Sequence, residues 1–176
     1  MESYDPYQAL PQVPEFAVSS EEFVDGGTFA PAQYSAKMGV PGGGDASPQL
    51  SWSGFPEQTR SFAVTMYDPD APTASGFWHW AAFNIPASVT GLAADAANTG
   101  RMPEGTVQLA NDAGFSGFIG AAPPAGHGRH RYFVVVHAVD TEELDVPADA
   151  TPAALGFALF THTLGRAVMI GTAEIE

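Results

Sequence analysis

Residues 61–85 read SFAVTMYDPDAPTASGFWHWAAFNI, and this stretch decides which fold the chain can adopt. Apolar side chains recur at every second position over residues 61–67 and again over residues 79–85, as they do in half-buried β-strands. The predicted apolar faces consist of Phe62, Val64 and Met66 in the first run, and of His79, Ala81, Phe83 and Ile85 in the second. Two prolines stiffen the DPDAP turn at residues 68–72. If the two strands pair, Asp68, Asp70 and His79 lie at the same end of one sheet.

A second stretch, PPAGHGRHRYFVVVHAV at residues 123–139, predicts a glycine-containing loop that leads into a strand. Residues 131–139 are apolar on both faces, which is typical of a strand that is covered on both sides. His130 and Tyr132 are two positions apart and therefore project from the same face. The glycines of the loop leave backbone N–H groups open to the approach of an anion.

The rest of the chain adds weaker strands and one helix. Residues 50–52, 107–110 and 167–173 are strand candidates. Thr151 is a good N-cap and Pro152 suits the first helical position, so a helix is predicted over residues 152–166. This helix is apolar around most of its circumference, which is typical of a buried or interfacial helix. Because 19 glycines and 15 prolines interrupt most apolar runs, we predict one mainly β domain over residues 1–176, with an extended N-terminal segment at residues 1–12.

The composition excludes several classes of function. The chain has no cysteine, which rules out disulfide frameworks, thiolate metal sites and a cysteine nucleophile. Its 20 acidic and 6 basic residues give a formal net charge of -14, which argues against nucleic acid or an anionic membrane surface as a partner. No segment approaches the roughly 18 apolar residues of a membrane span, and the first ten residues lack the pattern of a secretory signal. We therefore expect a cytoplasmic protein.

The two stretches suggest one constellation of polar side chains, formed by Asp68, Asp70, His79, His130 and Tyr132. An anion pocket would combine imidazole and phenol donors with backbone N–H groups, while the aspartates orient the imidazoles. A divalent metal could instead be held by Asp and His, although no metal motif such as HExxH is present. A serine hydrolase is the third possibility, but the G-x-S-x-G elbow is absent.

The order of these motifs resembles the phosphatidylethanolamine-binding proteins, also called Raf kinase inhibitor proteins, and their bacterial members most closely. The family's first signature, DPDAP followed by a histidine among aromatic residues, matches residues 68–72 with His79. The second signature, PP-x-G-x-G-x-HRY, matches residues 123–132, and residues 46–52 are similar to an upstream SP-x-L-x-W segment. Order and spacing hold from about residue 13 to the C-terminus.

This resemblance implies a large antiparallel sheet packed on a smaller sheet, with peripheral helices that include one at the C-terminus. It also implies a small pocket for anionic groups such as phosphate or a phospholipid headgroup. By motif position, the residues implied to line the pocket are Asp68, Asp70, His79, Pro123, His130 and Tyr132. The residues implied at its rim are Pro72, Trp80, Gly126 and Gly128. In several members of the family the C-terminal helix closes part of the pocket, and the aromatics of that helix here are Phe157 and Phe160.

We therefore expect a non-enzymatic binding protein for phosphate, a headgroup such as phosphoethanolamine, or a phosphorylated ligand, with no cofactor and no metal. One alternative is an inhibitor that binds a kinase or a protease. Another is a hydrolase of small esters or phosphates that uses His79 or His130 as its base. The apolar helix also favours a homodimer. Outside the site, Arg131 is expected to pair with an acidic residue, His137 to be a hydrogen-bonded core residue and His127 to be exposed in its loop.

Overall fold

The computed structural model describes residues 4–176, which form two antiparallel β-sheets and one α-helix. Within these residues the strands are β1 (Ala17–Ser19), β2 (Leu50–Ser53), β3 (Ser61–Asp68), β4 (Phe77–Pro86), β5 (Gly91–Leu92), β6 (Val107–Gln108), β7 (His130–Val139) and β8 (Thr163–Ala173). The helix α1 spans Pro152–His162, and a short 3₁₀ helix spans Pro31–Gln33. The larger sheet has the order β6-β4-β3-β7-β8 and the smaller one the order β1-β2-β5. The predicted mainly β fold, with a large sheet, a small sheet and a C-terminal helix, is confirmed.

The main hydrophobic core lies between the two sheets. Phe62, Val64 and Met66 of β3 face this core and are fully buried, which confirms the apolar face predicted for that strand. Trp52 of β2 packs edge-on against Phe62, with 5.3 Å between ring centroids. Burial of each large apolar side chain contributes about 1.5–3 kcal/mol, so this layer stabilises the contact between the sheets.

Two bulges in β4 change the face that its side chains occupy. The register between β3 and β4 shifts twice along the pair. As a result Ile85 joins the core between the sheets, whereas Ala81 and Phe83 pack on the opposite side of the large sheet. The predicted common face of His79, Ala81, Phe83 and Ile85 is therefore wrong. Each bulge inserts one extra residue into a strand and so reverses the alternation of its side chains.

Helix α1 ends earlier, and the last strand begins earlier, than predicted. Thr151 caps the helix as expected, because its side chain accepts a hydrogen bond from the backbone N–H of Ala154. The helix ends at His162 instead of residue 166, and the chain continues directly into β8, where Thr163 pairs with Val139. Pairing with the long buried strand β7 outweighs the small gain of one more helical turn, since most helical stability in proteins comes from packing.

The helix covers the side of the large sheet that faces away from the main core. Leu155 and Leu159 pack there with Ala81 and Phe83 of β4. Phe157 and Phe160 point outward and are 83% and 60% exposed. Helix α1 is therefore buried along one face only, so of the two expectations for this helix, burial holds for one face and an interface stays a prediction for the other.

The remaining differences concern short segments. The strand expected over residues 107–110 is confined to Val107–Gln108, and β1 and β5 are short strands that the sequence pattern did not indicate. Residues 6–9 form turns where an extended segment was expected, and residues 1–3 of that segment lie outside the described residues. Between residues 4 and 176 no helix is long and apolar enough to span a bilayer.

Candidate functional site

The two sequence motifs meet at one end of the large sheet. Strand β3 ends at Asp68, which pairs with Phe77 at the start of β4, and β7 begins at His130. A cavity of about 200 Å³ lies at this end. Its lining residues are Met38, Asp68, Ala71, Pro72, Thr73, Phe77, His79, Ala122, Pro124, His130 and Tyr132. Antiparallel pairing thus brings the DPDAP turn and His79 together, as predicted from the sequence.

A chain of short hydrogen bonds links Asp68, His130 and His127. The Nδ1 atom of His130 lies 2.8 Å from Oδ2 of Asp68, and both side chains are almost completely buried. The other ring nitrogen of His130, Nε2, lies 2.7 Å from Nδ1 of His127. Burial is the main influence on Asp68 and raises its pKa, whereas the hydrogen bond from His130 opposes that shift. His127 is exposed, as expected, but its contact with His130 was not foreseen.

A bulge directs His79 into the cavity. Its neighbours Trp78 and Trp80 pair with consecutive residues of β3, so His79 is the extra residue between them. Its Nδ1 lies 2.9 Å from the carbonyl oxygen of Ile119 and must carry the proton, because a carbonyl can only accept. Burial lowers the pKa of His79 to about 4. The ring is therefore neutral near pH 7, and Nε2 remains as a hydrogen-bond acceptor.

The hydroxyl of Tyr132 supplies a hydrogen-bond donor on the side of the cavity where His79 lies. Its ring lies edge-on to His79, with 5.2 Å between centroids. Its hydroxyl is buried and has no hydrogen-bond partner among residues 4–176. Burial raises the pKa of Tyr132, so the hydroxyl keeps its proton and can donate it to an acceptor in the cavity.

Asp70 is held away from the cavity by Arg131. Two guanidinium nitrogens of Arg131 donate to the Asp70 carboxylate at 2.9 and 2.8 Å, and the Arg131 backbone N–H donates to it at 2.9 Å. Burial alone would raise the pKa of Asp70, but these hydrogen bonds and the positive charge outweigh burial and lower it. The expected pairing of Arg131 with an acidic residue is confirmed, and Asp70 does not line the cavity.

Asp45 positions the backbone that holds His79, and the sequence offered no signal for it beyond its place in a glycine-rich loop. The carboxylate is 3% exposed and accepts hydrogen bonds from the backbone N–H groups of Gly120 and Lys37, both at 2.9 Å. Gly120 follows Ile119, whose carbonyl fixes the His79 ring. A Cβ atom at Gly120 would lie 2.4 Å from the carbonyl carbon of Tyr34, so this position has room only for glycine.

The other residues implied by the motifs have different places. Pro72 lines the cavity, whereas Pro123 does not and its neighbour Pro124 does. Trp80 is fully buried in the main core, and its indole N–H donates to the side-chain oxygen of Gln108 at 2.8 Å. Gly126 and Gly128 have positive φ angles of 72° and 91° and shape the loop before His130 without lining the cavity.

Helix α1 contributes no side chain to the lining of this cavity. Between residues 4 and 176 no cluster of three or more His, Asp or Glu side chains is arranged to hold a metal ion. Within residues 4–176, the cavity therefore offers a free donor at Tyr132 and a free acceptor at His79, next to the buried pair of Asp68 and His130. Such a set fits a group that both accepts and donates hydrogen bonds. The imidazole N–H groups expected as donors are engaged by Ile119 and Asp68 instead.

Comparison with known proteins identifies close relatives. A family model described as phosphatidylethanolamine-binding protein matches residues 19–174. The UPF0098 protein YbcL of Escherichia coli K12 is 42% identical over 167 residues, which cover 94% of this chain and 91% of that protein. YbhB of the same organism is 46% identical over 133 residues, which cover 71% of this chain and 79% of that protein.

A solved structure supports the same relationship. The crystal structure of Escherichia coli YbcL, described as a new member of the mammalian PEBP family, matches with a TM-score of 0.87 and 43% sequence identity. The match covers 92% of this chain and 99% of that one. The fold and the chain order of its elements are therefore shared over nearly the whole length.

Proposed function

This chain belongs to the phosphatidylethanolamine-binding protein family, and from that premise we propose that it is a non-enzymatic protein that binds a phosphate-type anion beside Asp68 and Tyr132. The observation that carries the proposal is the buried, unpartnered hydroxyl of Tyr132 next to the neutral ring of His79. A hydrogen phosphate, or the monoanion of a phosphate monoester, has oxygens that accept and a P–O–H group that donates. It can therefore satisfy both side chains at once.

The size of the cavity favours a headgroup over a whole lipid. Its volume of about 200 Å³ lies below the roughly 300–1,000 Å³ of pockets that hold drug-sized ligands. Phosphate or phosphoethanolamine fits such a space, and acyl chains would have to remain outside. The net charge of -14 repels anions at long range, so short-range donors and a proton that accompanies the ligand must supply the affinity.

The phosphoryl group is the part of the ligand that the site recognises. Asp68 and Asp70 are the carboxylates at this end of the sheet that could receive the ammonium group of phosphoethanolamine. In the fold, however, Asp70 is engaged by Arg131, and Asp68 accepts hydrogen bonds from His130 and from the backbone N–H of Asp70. We therefore expect inorganic phosphate and phosphoethanolamine to bind with similar affinity.

Calorimetric titration with these two ligands tests the proposal. We expect wild type to bind both, and Tyr132→Phe and His79→Gln each to weaken binding by about 10-fold, as one charge-assisted hydrogen bond predicts. His162→Gln is the matched control, because His162 lies at the end of α1 and bonds to Asp140, outside the cavity. A folded wild type that binds neither ligand, or a Tyr132→Phe variant that binds like wild type, would overturn the proposal.

A second candidate function is association with a protein, either a kinase or protease partner or a second copy of this chain. The exposed rings of Phe157 and Phe160 on α1 favour it, because large aromatic side chains are enriched in interfaces. Light scattering over a range of concentrations, with Phe157→Ser as the variant, tests self-association directly. If the chain is a monomer at all concentrations, self-association is excluded, and a different protein remains as the candidate partner for this surface.

Hydrolysis of a small ester or phosphate, with His79 or His130 as base, is the enzymatic alternative, and the bond between Asp68 and His130 favours it. Product release that is lost in both His79→Gln and His130→Gln would support it. The cytoplasmic location expected from the sequence also stays a prediction.

A further inference from the structure

A second cavity lies on the opposite side of the large sheet from the cavity lined by Asp68, His79 and Tyr132, which is called the phosphate site below. Its volume is about 240 Å³. Residues of the N-terminal turns, helix α1 and the outer face of β3, β4, β7 and β8 enclose it. Tyr67 and Trp78 line this cavity, while the next residue of β3, Asp68, lines the other one. The two cavities are thus separated by the sheet.

The floor of this second cavity carries buried polar atoms without partners. Thr65 and His137 are only 3% and 4% exposed. The Nδ1 atom of His137 has no hydrogen-bond partner among residues 4–176, and the hydroxyls of Tyr7 and Thr65 interact there only with each other. His137 was expected to be a hydrogen-bonded core residue. It is buried as expected, but the expected hydrogen bond is wrong for its Nδ1 atom. Buried polar atoms in proteins are almost always fully hydrogen-bonded, so a free imidazole nitrogen beside two hydroxyls that have only each other indicates a site for a polar group.

The same cavity contains one positive charge. Arg166 lines it, and its Nε is also buried and unpartnered among residues 4–176. The guanidinium lies 5.7 Å from the centre of the Tyr7 ring. By contrast, Arg60, Arg129 and Arg131 each form an ion pair with a carboxylate. A half-buried arginine without an ion pair to any carboxylate of residues 4–176 is unusual in a chain with 20 acidic residues.

The charges around Arg166 define what it can bind. Of the residues from 4 to 176, no aspartate or glutamate lines the cavity. Asp5 and Glu15 line a groove on the other side of Arg166, and neither forms an ion pair with it within the described part of the chain. Burial lowers the pKa of His137 to about 3, so this imidazole stays neutral and adds no charge near pH 7. The cavity therefore complements a single negative charge.

The walls of the cavity are apolar. They are formed by Leu10, Pro11, Trp78, Leu159 and Phe160. Phe160 is 60% exposed, and a ligand with an apolar body would cover part of its ring. This combination of an apolar wall and a few convergent polar groups is typical of small-molecule sites.

We propose that this second cavity binds a small monocarboxylic acid with an apolar body, whose carboxylate lies at Arg166, Tyr7 and Thr65. A carboxylate accepts from hydroxyl and guanidinium donors at once, and a planar carboxylate matches the fork of a guanidinium. The apolar body, aromatic or aliphatic, lies between Trp78 and Phe160. This site is independent of the phosphate site and does not rest on the function proposed for it.

Calorimetric titration with 4-phenylbutyrate and with octanoate tests the proposal and separates aromatic from aliphatic bodies. The neutral amide of 4-phenylbutyrate keeps the body but removes the charge, and we expect it to bind at least about 10-fold more weakly. Arg166→Gln should cause a similar loss. Arg60→Gln is the matched control, because Arg60 forms an exposed ion pair with Glu142 far from this cavity.

Gly156→Leu is a variant designed to occupy part of the cavity with little effect on the fold. Gly156 lies in α1 and lines the cavity, and a Cβ atom there would meet no atom within 4 Å. Leucine also favours the helix by about 1 kcal/mol over glycine, so the thermal midpoint should not fall. We expect Gly156→Leu to abolish binding of both acids and to leave phosphoethanolamine binding unchanged.

Three results would overturn the proposal. The first is that a folded wild type binds neither of the two acids. The second is equal affinity for the acid and its amide, which would mean that Arg166 contributes no charge recognition. The third is binding that survives Gly156→Leu, which would place the acid elsewhere on the protein. If phosphoethanolamine fails to bind while the acids bind, the function proposed for the first cavity is overturned and the proposal for the second cavity is supported.

Discussion

The Nδ1 atom of His130 lies 2.8 Å from Oδ2 of Asp68, although the two residues are 62 positions apart in the chain. This bond joins the last residue of β3 to the first residue of β7. The carboxylate holds the His130 ring in one orientation and leaves Nε2 to contact His127. Because both groups are buried, the loss of either partner leaves the other without compensation in a medium of low polarity.

Asp68→Asn tests what the negative charge of this pair does. The amide oxygen can still accept from His130, so we expect a folded protein with only a moderate loss of stability. A neutral amide makes a weaker hydrogen bond to the His130 ring than a carboxylate does and holds its orientation less firmly, and we therefore expect phosphate to bind about 10-fold more weakly. Calorimetry at pH 7 measures this change. Wild-type affinity in a folded Asp68→Asn variant would show that the carboxylate has no part in binding.

Phosphate binding should strengthen as the pH falls towards 4. Burial holds the pKa of His79 at about 4 in the free protein, and a bound anion beside the ring would raise it. Between the pKa of His79 in the complex and about 4, the complex holds a proton that the free protein does not. Affinity for phosphate therefore increases as the pH decreases through that interval. Titration in two buffers of different ionisation enthalpy measures the proton uptake directly. His79→Gln should reduce it, and an unchanged proton uptake in that variant would contradict this assignment.

The fold should lose stability in mild acid because of His137. Burial lowers the pKa of His137 from 6.5 to about 3, so below pH 6.5 the unfolded chain binds a proton that the folded chain does not. The free energy of unfolding should therefore fall between pH 6.5 and 3, by about 2 kcal/mol from this group at pH 5. We expect His137→Gln to show a shallower decline in urea unfolding than wild type. The raised pKa of Asp68 makes the free energy of unfolding increase as the pH falls, which opposes the effect of His137. The difference between His137→Gln and wild type therefore isolates the contribution of His137.

Asp70→Asn should affect stability more than ligand binding. The carboxylate accepts two hydrogen bonds from the guanidinium of Arg131 and does not line the phosphate cavity. Loss of these charge-assisted bonds should lower the free energy of unfolding by about 1–3 kcal/mol. Chemical denaturation and phosphate titration on the same sample separate the two effects. A large loss of affinity with unchanged stability would place Asp70 in the binding site, as its motif position implied.

Much of the fold was predictable because its main strands carry a clear apolar period. The alternation of Phe62, Val64 and Met66 indicated the buried face of β3, and the apolar run after His130 indicated a covered strand. The predictions failed where pairing with a distant strand overrides the local pattern. Bulges in β4 moved Ile85 to the other face, and pairing with β7 ended α1 at His162.

The sequence by itself determined that Asp68, His79 and His130 lie together at the cavity at the end of β3, although Asp70 and Pro123, also expected there, do not line it. Antiparallel pairing places the end of β3, the start of β4 and the start of β7 at one edge, so Asp68, His79 and His130 had to lie close together. Local periodicity and the turn at residues 68–72 were sufficient for Asp68 and His79, because both depend on neighbours in the chain, whereas His130 was added by the order of the motifs and the family they resemble.

Only the tertiary structure decided what these residues can do. The donor of His79 is engaged by Ile119, 40 positions away, and Asp70 is engaged by Arg131, 61 positions away. The second cavity joins Tyr7, Thr65, His137 and Arg166 from four separate segments. Burial and hydrogen bonding by distant segments determine which atoms remain free and which groups are charged, and no local pattern in the sequence carries that information.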